Sequence, residues 1–286
     1  MSTALLPPAY APRQLFVASM PSCDALCGAA LPVAAAALLL AAAARGAPAD
    51  YARVRREGGT FFLRERVMQR GYVWIDALAR GAVAAGLTAN AITWLSFVLG
   101  AAAGICAGLG WLGTAAWALA LSGLCDGVDG AVARRTRAAS PAGAVLDSAL
   151  DRYVEFFFIA GLIVWLRGHW AHQLVAVTAL FGGFMVTYST AKAEALQVTP
   201  PRGWMKRPER IVWLVAGSAC AAAGTLLGVP SLHIISAVLA LIAVFAHASA
   251  FLRLRALTFA TRQRDQISDV RCQTSGIRDR APTSDV

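Results

Sequence analysis

Four aspartates lie in strongly apolar surroundings. Asp126 and Asp129 are three residues apart, and Asp147 and Asp151 are four apart. Either spacing puts a pair on one face of a helix. A charge at the centre of a bilayer costs roughly 2.5–3.5 kcal/mol by the milder scales. Carboxylates held there point to function. The stretch 134–143 between the pairs is short. It predicts two antiparallel neighbouring helices whose four carboxylates converge at one depth. Their mutual repulsion calls for a cation, and aspartate oxygens are hard ligands. They suit Mg²⁺ or Mn²⁺ and not zinc. Salt bridges to Arg134, Arg135, Arg137 and Arg152 are the bland alternative, and four aspartates in register make it the weaker one.

The elements that must carry these residues are membrane helices. The chain has 286 residues, 58% hydrophobic and 15% charged, with a mean hydropathy of +0.58. Soluble domains carry about a quarter of their residues as charges. Seven apolar runs are candidates for spans: 25–45, 90–110, 112–133, 144–166, 173–195, 211–228 and 232–252. A span needs about 20 such residues, so the fold class is an all-α, polytopic membrane protein. Of 26 basic residues, 23 fall in the segments 45–80, 134–137 and 192–210 and from 253 onward. That bias predicts an N-terminus outside and the carboxylates at the cytoplasmic end of the bundle. The net charge of +10 suits an anionic membrane leaflet. Nucleic acid is not expected as a partner. Residues 60–80 interleave apolar and basic positions, which predicts an amphipathic helix on the cytoplasmic face. The polar tail, 258–286, reads as disordered. The first span reads as an uncleaved anchor, because Arg13 alone precedes it and the apolar run starts late for a signal peptide. Six cysteines and four histidines are scattered, with no metal-ligand spacing among them.

The run from Asp126 reads DGVDGAVARRTRAASPAGAVLDSALDR. Its Asp-x2-Asp-Gly-x2-Ala-Arg-x8-Gly-x3-Asp-x3-Asp skeleton resembles the signature of the CDP-alcohol phosphatidyltransferase family. The likeness extends over about 60–255 and takes in six of the seven spans. It implies a six-helix core at 60–255. Residues 1–59 would then be an N-terminal extension with one extra span, and 256–286 a disordered cytoplasmic tail. It also implies transfer of a phosphatidyl group from CDP-diacylglycerol to an alcohol, with release of CMP. By resemblance Asp126, Asp129 and Asp147 hold Mg²⁺ or Mn²⁺, and Asp151 completes the metal site and acts as the base. Gly130, Ala133 and Gly143 leave room for the nucleotide, and Arg134 pairs with a phosphate or orients a carboxylate. A homodimer in a bacterial inner membrane, with its active site facing the cytoplasm, is the matching expectation.

The acceptor is read from TYSTAKAEAL, starting at Thr187, and from the later MKRPERIV. Both are similar to the phosphatidylinositol phosphate synthase branch. Thr187 stands at its Ser position and Lys192 at its Arg position, while Thr190 replaces a lysine. With Arg207, Arg210 and Arg253 these residues form the expected acceptor site. The expected acceptor is a phosphorylated polyol, inositol phosphate first and glycerol 3-phosphate second. Asn90 and Thr93 are expected to cap the first span of the core. Glu155 and Glu194 are expected in salt bridges. The first span has no role in the resemblance, so a chain starting near residue 50 is expected to keep its chemistry. An intramembrane prenyltransferase and a transporter are the readings from other classes. Neither needs the Gly-x2-Ala-Arg-x8-Gly link.

Overall fold

The computed structural model describes residues 21–44, 65–199 and 203–278. Among them every regular element is helical. The helices are α1 (Pro21–Ala44), α2 (Glu65–Ala84), α3 (Ala89–Leu109), α4 (Leu112–Arg135), α5 (Pro141–Trp165), α6 (Trp170–Ala195), α7 (Arg207–Gly224) and α8 (Ser231–Arg278), with a short 3₁₀ turn at Thr225–Leu227. Five of them, α1, α3, α6, α7 and α8, are long and apolar enough to cross a membrane. The helices α4 and α5 are as long, but they carry the aspartates and arginines of the motif, which keeps them off that count. The protein is an integral membrane protein. Of the expected amphipathic helix, 65–80 lies within α2, and 60–64 lies outside the described residues, as do parts of the 1–59 extension.

Local chemistry sets the ends of the helices nearest the motif. Thr88 caps α3, its hydroxyl accepting from Ala91 N at 3.3 Å. The expected caps Asn90 and Thr93 lie inside that helix instead. Gly110, at φ 85°, closes it in the left-handed conformation that glycine adopts freely. Ser140 caps α5, accepting from Gly143 N at 3.1 Å, and Pro141 fills its first turn.

α3 is the shared partner of both aspartate helices. α4 and α5 each pack closely on it, while approaching one another hardly at all. The expected direct pairing of α4 with α5 is therefore corrected. Small residues cause the arrangement. A Cβ on Gly161 of α5 would strike the carbonyl of Gly104 on α3, and one on Gly100 would fall 2.5 Å from Val154. Backbones meet where glycines allow it, the usual way for helices to associate in lipid. With α3 wedged between them, α4 and α5 splay and leave a cleft. Elsewhere α6 packs on α8, and α7 packs on α1, α4 and α8. Leu119, Phe158, Ile159, Leu162, Leu214, Leu239 and Ile242 fill the core.

The expected disorder from 256 onward does not hold as far as Arg278, because α8 continues to that residue. No glycine or proline interrupts 254–275, so nothing in the chain stops the helix. Arg264 also ties it down, donating to the carbonyls of Leu196 (2.7 Å) and Gln197 (2.9 Å) at the end of α6. Residues 279–286 lie outside the described residues.

Candidate active site

Carboxylate oxygens of Asp126, Asp129 and Asp147 lie within 4.8 Å of one another. Asp126 and Asp129 come from the last turns of α4, and Asp147 comes from the second turn of α5. Their donor set is oxygen only, with no imidazole or thiolate in the group. Three hard ligands at that separation fit Mg²⁺ or Mn²⁺. Asp129 is the most buried of the three. Its Oδ2 accepts from the Thr93 hydroxyl at 2.7 Å, which fixes the carboxylate's rotamer. Thr93, placed by the sequence pattern at a helix cap, is thus a support of the site.

Asp151 falls outside that 4.8 Å group, but its carboxylate lies beside those of Asp126 and Asp147. Its Oδ1 pairs with Arg207 Nη2 at 2.6 Å, and Arg207 Nη1 reaches Asp126 Oδ2 at 2.9 Å. Arg207 thus bridges the fourth aspartate to the first. The spacing of the motif put four carboxylates at one depth. The structure gathers three within 4.8 Å and sets the fourth beside Asp126, with a guanidinium from α7 paired to both.

Asp129 and Asp147 border a cavity of about 340 Å³. Its wall also includes Gly130, Ala133, Arg134 and Gly143, together with Asn90 and Thr93. All four residues expected to meet the nucleotide and its phosphates, Gly130, Ala133, Arg134 and Gly143, line this one space. Gly143 spends its backbone N–H on the Ser140 cap, so its contribution is a low wall at the start of α5.

The expected acceptor residues are less unified. Arg210 is fully buried, and each of its guanidinium nitrogens already has a partner. Nε and Nη2 pair with Glu155 at 2.5 and 2.7 Å, and Nη1 donates to Met205 O at 2.7 Å. Gly183 of α6 makes room for this pair, since a Cβ there would lie 2.8 Å from Glu155 Oε1. Arg210 is therefore corrected from acceptor ligand to internal counter-ion, and Glu155 is the salt-bridge partner it was expected to be. Arg207 belongs to the carboxylates. Thr187 faces a separate groove with Tyr153, Phe156, Phe184 and Tyr188, and Lys192 is exposed in the last turn of α6. Arg253 is buried and donates to Thr190 Oγ1 at 2.7 Å. Thr190, the departure from the branch pattern, is thus the residue that holds Arg253.

Residues 86–254 match the CDP-alcohol phosphatidyltransferase family profile. The chain belongs to that family. This membership sets aside the prenyltransferase and transporter readings. Among curated relatives, the archaetidylinositol phosphate synthase of Methanothermobacter thermautotrophicus is 39% identical over 132 residues, which is 46% of this chain and 66% of that protein. The same-named protein of Aeropyrum pernix is 43% identical over 34% of this chain and 49% of that one. The phosphatidylinositol phosphate synthase of Mycobacteroides abscessus is 31% identical over 50% of this chain and 67% of the relative. These three alignments span from 49% to 67% of the relatives' own length. Among solved structures, Mycobacterium tuberculosis phosphatidylinositol phosphate synthase with CDP-DAG bound superposes with a TM-score of 0.57 and 27% identity, over 63% of this chain and 92% of that one. The same protein has been solved with manganese and citrate.

Proposed function

We propose that this protein transfers a phosphatidyl group from CDP-diacylglycerol to a phosphorylated polyol, inositol phosphate in the first place, and releases CMP. The observation that carries the reading is the convergence of Asp126, Asp129 and Asp147, the last two of them lining a cavity walled by Gly130, Ala133, Arg134 and Gly143. The relatives named for inositol phosphate products support the choice of acceptor.

In this reading Asp126, Asp129 and Asp147 hold Mg²⁺ or Mn²⁺. A bound divalent ion supplies charge neutralisation at the pyrophosphate and at the leaving CMP. Gly130 and Ala133 let the cytidine approach α4, and Arg134 stands at the cavity wall to meet a phosphate. The acceptor hydroxyl attacks the lipid-side phosphorus. A new P–O bond forms there, the P–O bond to CMP breaks, and the hydroxyl proton passes to Asp151. Arg207, held on Asp126 and Asp151, orients that base. Arg253 on Thr190 is the remaining buried cation for an acceptor phosphate. The site faces the cytoplasm of a bacterial inner membrane, in keeping with the basic loops at its end of the bundle. The working unit is a homodimer, which cross-linking in native membranes tests.

The purified protein is expected to release CMP from CDP-diacylglycerol with inositol phosphate, and to stop when EDTA is added. Mg²⁺ or Mn²⁺ should restore it. Full activity in metal-free buffer would overturn the metal reading. Use of glycerol 3-phosphate in preference would move the chain to the second acceptor, and equal use of free inositol would remove the phosphate requirement. Charge-assisted phosphate contacts are worth roughly 1.5–3 kcal/mol. Arg253→Ala is therefore expected to raise the KM for the acceptor about tenfold or more, with the KM for CDP-diacylglycerol little changed.

A further inference from the structure

The helix α1 lies outside the segment that matches the family. Its contacts nonetheless tie it to the aspartate helix α4. Asp24, in the first turn of α1, accepts from Gly113 N at 2.9 Å, Thr114 N at 2.8 Å and Thr114 Oγ1 at 2.9 Å. These residues open α4, whose own N-cap residue, Trp111, makes no side-chain capping bond. One turn on, Trp117 Nε1 donates to Cys27 O at 2.9 Å. The two helices touch backbone to backbone, since a Cβ on Gly113 would fall 2.8 Å from Gly28 N. A Cβ on Gly28 would in turn lie 2.7 Å from Ala219 O of α7. Toward its other end α1 meets α2, where Trp74 Nε1 donates to Leu38 O at 3.0 Å. α2 holds the far end of α4. Asp76 pairs with Arg135, and Ile75 sits against Gly127, between Asp126 and Asp129.

We propose that α1 is an internal brace that sets the axial register of α4, with Asp24 as its positioning residue. α4 is fastened at its start by α1 and at its end by α2, and α1 and α2 are bonded to each other. α4 hardly touches α5, so the depth of Asp126 and Asp129 relative to Asp147 is set by α3, which packs on both, together with α1 and α2 at the two ends of α4. One residue of slip moves a helix about 1.5 Å along its axis. Mg²⁺ demands ligands near 2.0–2.1 Å in nearly octahedral geometry, so a fraction of such a slip spoils the trio. Asp24 resists it with a carboxylate bonded at the positive end of the α4 dipole. On this proposal a chain starting near residue 50 loses Mn²⁺ affinity, against the expectation that it keeps its chemistry.

The proposal rests on the trio being a metal site, and its test distinguishes the two. Mn²⁺ affinity is measured by the electron paramagnetic resonance signal of free Mn²⁺, on full-length protein in nanodiscs recovered as a monodisperse fraction. Asp24→Ala is expected to raise the Mn²⁺ Kd about tenfold, the scale of losing a supporting contact around a metal site. Asp24→Asn, whose amide oxygen still accepts from the start of α4, should recover most of that loss. A role in folding alone would lower the yield and leave the affinity of the recovered protein unchanged. If Asp24→Ala yields no monodisperse protein, Trp117→Phe removes the neighbouring α1–α4 bond and should raise Kd measurably. Wild-type affinity in whichever variant is recovered overturns the brace while leaving the metal site intact. A wild-type chain that binds no Mn²⁺ overturns the metal reading, and the brace with it.

Discussion

Asp126→Ala, Asp129→Ala and Asp147→Ala are each expected to lower the rate of CMP release about a thousandfold. A bound metal is worth several kcal/mol of charge stabilisation at a transferring phosphoryl group, and each 1.36 kcal/mol is a factor of ten. The three side chains present oxygens within 4.8 Å of one another, so the loss of any one leaves two ligands and an open coordination sphere. Asp151 should behave differently. It lies outside the 4.8 Å group, next to Asp126 and in an ion pair with Arg207. Asp151→Asn keeps the size of the side chain and removes its ability to accept a proton. Transfer should stop in that variant while Mn²⁺ and CDP-diacylglycerol still bind. Asp126→Asn should weaken both. Titration of Mn²⁺ into the two variants, alongside a single-turnover assay, separates the outcomes. Equal loss of Mn²⁺ binding in both would make Asp151 a metal ligand and remove it as the base.

That division between three aspartates and one was not legible in the sequence. The spacings i, i+3 and i, i+4 place residues on faces, and they did so correctly for both pairs. They do not say how far apart two helices stand. That distance is set by α3, whose Gly100 and Gly104 let α5 come so close that α4 and α5 splay. The cavity wall was legible because Gly130, Ala133 and Gly143 occur at fixed offsets from the aspartates within one continuous run. The acceptor residues were harder, because they come from α6, α7 and α8. A positive charge in a loop reads the same whether it awaits a phosphate or an internal carboxylate. Arg210 shows the difficulty. Glu155, one turn beyond Asp151 in the sequence, had been expected in a salt bridge, and the arginine that closes it is supplied from α7. The packing of α1 was invisible for a related reason. A lone Asp24 at the start of an Ala-rich span looks like a solvated end, until the uncapped start of α4 is found beside it.

Glu155→Ala and Arg210→Ala are expected to destabilise the protein by about 3–5 kcal/mol, the scale for removing one partner of a buried ion pair. Both side chains are almost wholly inaccessible, and the two carboxylate oxygens and two of the guanidinium nitrogens are matched one to one. Either single change strands a full charge between α5, α6 and α7. If Arg210 instead served the acceptor phosphate, Arg210→Ala would leave stability unchanged and raise the acceptor KM, and Glu155→Ala would have no matching effect. The double variant Glu155→Met/Arg210→Met decides between them. Replacing both charges with apolar side chains of similar length leaves no charge stranded and only Met205 O without its Arg210 donor, and such exchanges are often neutral or stabilising. The double variant is therefore expected to recover most of the stability lost in the single ones, read as the midpoint of thermal unfolding in detergent. It should also keep an acceptor KM close to that of the wild type, because Arg253 and Thr190 are untouched. A double variant as unstable as Arg210→Ala would mean that the pair is not a self-contained unit and that the bond from Arg210 to Met205 O carries the loss.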